Sequence, residues 1–524
     1  MTKAFLIGLD YGSESARGVL VDADTGEQVA SHIYAYSNGI MTRQLPNGTR
    51  LPRGWALQDA ADYLNAAETI LTKLGDGRNI TSIGIGFTAS SPLPSTADGT
   101  ALSELWPGNP HAYVKLWKHG SAQPYADNIN VRGGRYLDNF GGKVSGEWLL
   151  AKAMQIADEA PDTWAKTDKF IEGGDWLVWR LTGNEARSLG FAAYKAQYVA
   201  NVGYPGDVLP NLETRLAEPL PIGSPAGSLT AEWRERTGIM GEAVVAVAAI
   251  DSHVVLPAVG GVSGGTLVGA LGTSAAYLLL SDHYQPLPAG IEGVAKDGSI
   301  RDLWCYEAGQ ASFGDTLSWF VRNFPRAETE AESFRLYNEA AASMPVGNNR
   351  LLALDWWNGN RVPFADSRLS GLLLGLGMET TSVGIYRALM DAICFGARSI
   401  IDLFSNSHIE IEQLTMTSGL ALNNPSLVQT MCDVIGRPIA VPAIVNSTAV
   451  GAAIHGAVAG GVVENYREGS GRFGTKEFHH YEPIERNVRA YEKLYKLYRD
   501  TSNSKALRET MHGLNEIVSS AEVA

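Results

Sequence analysis

The stretch from Ala4 to Asp22, AFLIGLDYGSESARGVLVD, constrains the fold more than any other part of the chain. Phe5 to Leu9 is an unbroken apolar run, the pattern of a buried strand. Asp10-Tyr11-Gly12-Ser13-Glu14-Ser15 follows, and Val19 to Val21 is apolar again. The pattern predicts a hairpin whose tip carries a carboxylate, a glycine and hydroxyls. Gly12 lets the backbone turn and lets a ligand come close. The N–H groups after it, with the hydroxyls of Ser13 and Ser15, suit phosphate oxygens, and Asp10 suits a hydrated Mg²⁺. No Gly-Lys-Ser/Thr follows here, so the stretch is not a P-loop. Taken alone, it is also compatible with an ordinary hairpin turn.

Length and composition narrow the rest. A chain of 524 residues has room for two to four domains. Its net charge of −14 opposes a nucleic-acid surface, which needs basic stripes. Cys305, Cys394 and Cys432 lie far apart and are odd in number, so they form no metal or disulfide pattern; a reduced, cytoplasmic setting is expected. The N-terminus reaches Asp10 too soon for a signal peptide. No apolar stretch runs uninterrupted to the length of a membrane span.

Along the chain, Gln28 to Tyr36 predicts a strand and Trp55 to Leu74 a helix. Ile80 to Phe87 predicts a strand that runs into Thr88-Ala89-Ser90-Ser91-Pro92, a polar loop at a strand end, where open α/β folds place ligands. Trp117-Lys118-His119 and Gly146-Glu147-Trp148 pair aromatics with polar groups, a mixture that suits a sugar and equally a surface aromatic beside a charge. Asp175 opens another helix. Lys195, in Ala-Tyr-Lys-Ala, reads by itself as a solvated lysine. Residues 200 to 230 are Pro- and Gly-rich and read as a long loop. Ala243 to Ile250 predicts one continuous buried strand ending in Asp251-Ser252-His253, and a carboxylate there is poised to take a proton from a hydroxyl or to start a helix.

Gly260 to Gly265 marks a hinge or boundary. Leu267 to Leu280 then repeats the opening pattern, apolar run, Gly272-Thr273-Ser274 turn, apolar run, which suggests a duplicated domain. Helices are expected over Phe313 to Val321, 327–342 and Thr381 to Phe404. Ile409 to Met416 predicts a strand leading to Ser418-Gly419-Leu420-Ala421-Leu422-Asn423-Asn424-Pro425, with a helix after it. The small-residue helix Thr448 to Ala459 suits close packing between domains. Arg489 to His512 reads as a surface helix, and His479-His480 as solvated.

These motifs, in this order, resemble the FGGY carbohydrate kinases. The resemblance runs from about residue 4 to about residue 460. Within that family the opening motif, Trp117-Lys118, Glu147-Trp148 and Glu307-Ala308-Gly309-Gln310-Ala311-Ser312-Phe313-Gly314-Asp315 look most like the L-ribulokinase branch. The resemblance implies an α/β, two-domain actin/hexokinase-like (ribonuclease H-like) fold with an interdomain cleft. A sugar domain would span 1–258 and a nucleotide domain 259–524, with the closing helix from about 485 packing back on the first. It implies ATP and Mg²⁺ as cofactors, and ATP-dependent phosphorylation of a ketopentose, L-ribulose, in arabinose catabolism. Asp251 would be the general base and Asp10 the metal residue. Gly12, Ser13, Ser15, Gly272 and Thr273 would touch phosphates; Gly314, Gly419 and Asn423 would border the nucleotide. Ala89, Trp117, Lys118, Lys195, Asp251 and Glu307 would meet the sugar. Partners reduce to the sugar and ATP, with no nucleic acid and no membrane; a homodimer stays open. Two departures stand out: Gly86 where many ribulokinases have Asp, and Ser418 where Gly is usual. Gly86 keeps open a kinase of D-ribulose, xylulose or ribitol on the same fold. A non-catalytic sugar- or nucleotide-binding regulator is the further alternative, and retention of Asp10 and Asp251 counts against it.

Overall fold

The structure is a computed structural model and describes residues 3–287 and 290–523. The opening hairpin forms as expected. Strands β1 (Ala4–Tyr11) and β2 (Ser15–Asp22) pair antiparallel, with Asp10 opposite Arg17. Then β3 (Gln28–Ala35) adds antiparallel to β2, and β4 (Asn79–Phe87) adds parallel to β1 on its other side. The row is completed by β5 (Pro225–Ser228) and β6 (Val244–Ala246), in the order β5-β6-β4-β1-β2-β3, while β7 (Ala249–Ile250) also pairs with β4. Two expectations are corrected here. The Pro- and Gly-rich 200–230 stretch contains β5, a four-residue edge strand, where a proline costs no ladder bond. The apolar run 243–250 is two short strands, because its register on β4 slips by one residue: Val245 lies opposite Ile83 but Ala249 opposite Gly86.

The second sheet repeats the first. It is built from β8 (Thr266–Leu271), β9 (Ala275–Ser281), β10 (Gly293–Lys296), β11 (Trp304–Gln310), β12 (Gln413–Thr417), β13 (Ile439–Pro442) and β14 (Phe478–Tyr481), ordered β10-β11-β9-β8-β12-β13-β14. Strand directions match as well. β8 pairs antiparallel with β9 and parallel with β12, as β1 does with β2 and β4. Both sheets end in an antiparallel edge strand, β5 and β14. The duplication suggested by two similar turns is therefore a duplication of the whole sheet. His479 and His480 lie exposed on β14.

Helix α1 (Ala60–Gly75) covers β2 and β3. It starts five residues later than expected, because Leu57 and Gln58 pair with Val114 and Lys115 as strands and Asp59 caps the helix. Between β4 and β5 come α2 (Leu149–Glu159), α3 (Gly173–Thr182) and α4 (Leu189–Lys195). Helix α2 belongs to a separate core with Ala126, Ile129 and Trp164. Asp175 lies in the first turn of α3, buried, with the Ser188 N–H donated to it. In the second half, α5 (Gly314–Asn323), α6 (Ser382–Asn406) and α7 (Pro425–Ile435) pack around the second sheet.

Helix α8 (Ser447–Ala459) packs on the first sheet, although it follows the second. The contact is backbone to backbone. A Cβ on Gly8 would lie 1.8 Å from Ala449 O, and one on Gly84 would lie 1.7 Å from Ala452 O. The expected helix over Arg489 to His512 is two helices, α9 (Glu485–Ser502) and a last one over Lys505–Val523. Helix α9 is a surface helix, as expected, but it packs on the second half and not on the first, burying Tyr491, Tyr495 and Tyr498 in the second core. Those three aromatics recur at helical spacing, so the charged face hides an apolar stripe.

Candidate active site

Asp10 and Asp251 stand at the ends of two strands that lie on either side of β4. β1 and β7 flank β4, with Gly86 of β4 beside Asp10 on one side and Ala249 on the other. Asp251 follows directly after β7 as the first residue of a short helix, Asp251–Val254, and accepts the Ser252 N–H at 2.7 Å. Burial and the charge of Asp10 push its carboxyl up to about 7, against Lys195. Burial likewise pushes Asp10 up to about 6, opposed by Arg17. Two carboxylates whose burial outweighs the cations near them fit a cation-binding or a proton-accepting role.

Lys195 is not solvated, contrary to the expectation from its local sequence. It is buried at the end of α4, and its Nζ lies 2.9 and 3.1 Å from the two oxygens of Glu307 on β11. The Trp148 ring lies 5.7 Å from the same ammonium. Burial raises the Glu307 carboxyl, but Lys195 and His253 outweigh it and hold the group well below the usual carboxylate range. His253 is fully buried, with Nδ1 2.6 Å from Ser299 Oγ and Nε2 3.6 Å from Glu307. Neither His253 nor Arg17 has a part that its motif assigns; the available signal is a histidine two residues after a strand-end aspartate. Arg17 also bonds Asn446 Oδ1 at 3.0 Å, which ties the hairpin to the start of α8.

The two turns are built alike. Gly12 donates its N–H to Ser15 O at 3.0 Å, and Gly272 to Ser274 O at 2.9 Å. Neither glycine has a positive φ; a Cβ on either would sit 3.3 Å from the carbonyl across its turn. The chain turns at Gly12 as expected, and it does so without left-handed backbone. Ser13 accepts the Trp117 Nε1–H at 2.9 Å, so Trp117 braces the first turn. Ser15 is the first residue of β2, Ala89 is half-buried on the loop after β4, and the Lys118 side chain is exposed.

Gly272, Thr273, Gly314 and Gly419 converge. The Gly314 N–H reaches Gly272 O at 3.0 Å, and Phe313 and Asp315 both donate to Thr273 O, at 2.8 and 3.1 Å. Leu420, next to Gly419, would lie 3.4 Å from a Cβ on Gly314. Ser418 holds φ +128°, a region that disfavours any side chain. Its hydroxyl donates to Leu271 O and accepts the N–H groups of Leu420 and Ala421 at 3.2 and 3.4 Å. Serine thus occupies the glycine position under strain, with three hydrogen bonds opposing it. Asn423 is exposed and spends its Nδ2 on Gly419 O at 2.8 Å, whereas Asn424 caps α7 through Leu427 N–H. A side chain at Gly86 would meet Val254 Cγ1 at 2.8 Å, so Val254 closes the space beside Gly86.

Residues 267–460 match the model of the FGGY family of carbohydrate kinases, C-terminal domain. The chain is 39% identical to the ribulokinase of Halalkalibacterium halodurans, over 95% of this chain and 94% of that protein. It is 36% identical to the ribulokinase of Mycolicibacterium smegmatis, over 94% and 92%. Among solved structures, xylulose kinase from Rhodospirillum rubrum superposes with a TM-score of 0.81 at 21% identity, covering 97% of this chain and 99% of that one. Glycerol kinase from Plasmodium falciparum, with ADP, gives 0.79 at 14% identity, covering 96% and 99%. These structural likenesses establish the shared two-domain α/β fold. With full-length ribulokinase relatives and a matching second half, the chain belongs to the FGGY family of carbohydrate kinases, in its ribulokinase branch.

Proposed function

We propose that this chain transfers the γ-phosphoryl group of ATP to L-ribulose, giving L-ribulose 5-phosphate. The observation that carries the reading is Asp251: a carboxylate with its proton affinity raised to about 7, beside Asp10 and within the field of the Lys195–Glu307 pair. Asp251 takes the proton of the attacking sugar hydroxyl as its oxygen bonds to the γ-phosphorus. The bond to the bridging oxygen breaks, ADP leaves, and Asp251 returns the proton to solvent. Lys195 and Glu307 hydrogen-bond the other hydroxyls, while Ala89 and Trp117 shape the wall beside them. The Gly12-Ser13 and Gly272-Thr273 turns bracket the phosphates, and Gly314 and Gly419 border the nucleotide.

The donor set fits Mg²⁺. No group of three or more His, Cys, Asp or Glu able to hold a metal occurs among the described residues, and Mg²⁺ keeps most of its waters and uses one or two carboxylates with substrate phosphates. We assign it to Asp10, where it would neutralise charge developing on the phosphoryl oxygens. The spread of the cysteines, all three buried and free, supports a cytoplasmic setting. The exposed Leu374, Leu376 and Met378 offer an apolar face to a second copy in a homodimer.

Gly86 favours a second reading, in which the acceptor is D-ribulose, xylulose or ribitol. Coupled ADP release with ATP and each of the four acceptors separates the two. Highest kcat/KM on L-ribulose supports the first; turnover of another acceptor with none on L-ribulose rejects it.

A further inference from the structure

Lys152, on α2, is fully buried, and neither the sequence motifs nor the proposed chemistry uses it. Its ammonium makes three hydrogen bonds, all to backbone oxygens: Ser90 at 2.6 Å, Leu116 at 2.9 Å and Lys115 at 3.2 Å. The first lies in the loop that carries Ala89. The other two immediately precede Trp117. One ammonium therefore ties together the two segments assigned to the sugar wall, which are 26 residues apart at Ser90 and Leu116.

A buried carboxylate completes the arrangement. Glu172, at the end of the strand before α3, accepts the Ser91 N–H at 2.8 Å. Ser90 C=O and Ser91 N–H belong to one peptide group, so that single peptide is held by a cation at its oxygen and an anion at its nitrogen. Charge-assisted bonds of this kind are about twice as strong as neutral ones. The peptide needs holding, because Ser90 has φ +59°, in the left-handed region that a serine rarely adopts. Burial pushes Lys152 down and Glu172 up, and each opposes the shift of the other. On the near side the loop is tied to β1, where Thr88 N–H meets Tyr11 O at 3.1 Å. From the wall, Trp117 reaches Ser13 in the first phosphate turn.

We propose that Lys152 and Glu172 are positioning residues that clamp the Ser90–Ser91 peptide and so fix the sugar-facing wall against the phosphate turn. Neither touches a substrate. The proposal rests on the sugar-kinase reading for its kinetic consequence but not for the clamp itself.

Lys152→Met and Glu172→Gln in the full-length chain test it. Initial rates are measured with L-ribulose and ATP varied in turn, and amide exchange is followed in the peptide spanning 88–92. For Lys152→Met the expected result is an L-ribulose KM raised about tenfold or more, an ATP KM within about twofold of wild type, and faster exchange in 88–92. Glu172→Gln keeps an oxygen for Ser91 but loses the charge, and should raise the sugar KM by a smaller factor with the same selectivity. It decides the matter alone if Lys152→Met yields no folded protein. Unchanged exchange in 88–92 overturns the clamp, whatever the activity. Equal rises in both KM values overturn its role in the sugar wall. A wild-type enzyme inactive on L-ribulose contradicts the substrate reading instead, while the exchange comparison still judges the clamp.

Discussion

Asp251 shows how burial sets chemistry one side chain at a time. Its raised proton affinity implies that kcat/KM for the sugar climbs with pH and levels off above about 7; a profile flat down to pH 5 would argue for another base. The same shift has a stability consequence. The folded pKa lies above the unfolded value, so the native state binds the extra proton. Stability from this group is full below the unfolded value of 3.8 and is lost as pH rises through about 7. Asp251→Asn should therefore unfold at a higher temperature than wild type at pH 8, by up to a few kcal/mol of stability at about 1.4 kcal/mol per pK unit. The advantage should shrink towards pH 4 in a calorimetric series. Ser418 makes the opposite case. Its backbone strain costs about 1–3 kcal/mol, and its hydroxyl offsets this by joining Leu271 to the turn at Gly419. Ser418→Ala keeps the strain and loses the bonds. It should weaken ATP binding and lower the denaturation midpoint, whereas Ser418→Gly should restore stability.

At the scale of elements, the contact of α8 with β1 and β4 is the tightest in the first half. Gly8→Ala would drive a Cβ to 1.8 Å from Ala449 O, and Gly84→Ala to 1.7 Å from Ala452 O, both rigid backbone. Each should cost at least about 1–3 kcal/mol, as over-packing does, and urea unfolding would read it. Gly377, with nothing within 4 Å of a Cβ, is the control, expected within about 0.5 kcal/mol of wild type. The elements that could be read from sequence were those whose pattern repeats. The opening hairpin, the 267–280 hairpin and the small-residue helix all formed, because apolar runs interrupted by Gly and Ser have few alternatives. The break at Val247 could not be read, since an apolar run looks the same whether or not it slips by one residue against its neighbour. The edge strand Pro225–Ser228 was hidden by its own prolines and glycines. Asp10 and Asp251 stood out as charges ending apolar strands. Lys152 did not, because a lysine in Leu-Leu-Ala-Lys-Ala-Met looks like the solvated side of a helix until tertiary packing buries it.

Across the whole molecule, two sheets of one topology carry one turn each, and α8 returns from the second half to rest on the first. The Lys195–Glu307 pair joins α4 of the first half to β11 of the second. It ties the two halves together, and it is the pair proposed above to meet the sugar. Glu307→Gln leaves Lys195 buried without its counter-charge, and a loss of about 3–5 kcal/mol is expected, as when one partner of a buried pair is removed. Chemical denaturation and sugar calorimetry should both register it; an unchanged midpoint would mean that the pair is solvated in the working enzyme. The chemistry itself turns on proton transfer at Asp251. Its most direct test is rapid-quench phosphoryl transfer by Asp251→Asn with saturating ATP and L-ribulose, alongside calorimetric binding of each. Binding should stay within a few-fold of wild type and transfer should slow by about 10²–10⁴-fold; transfer at the wild-type rate would rule out Asp251 as the base.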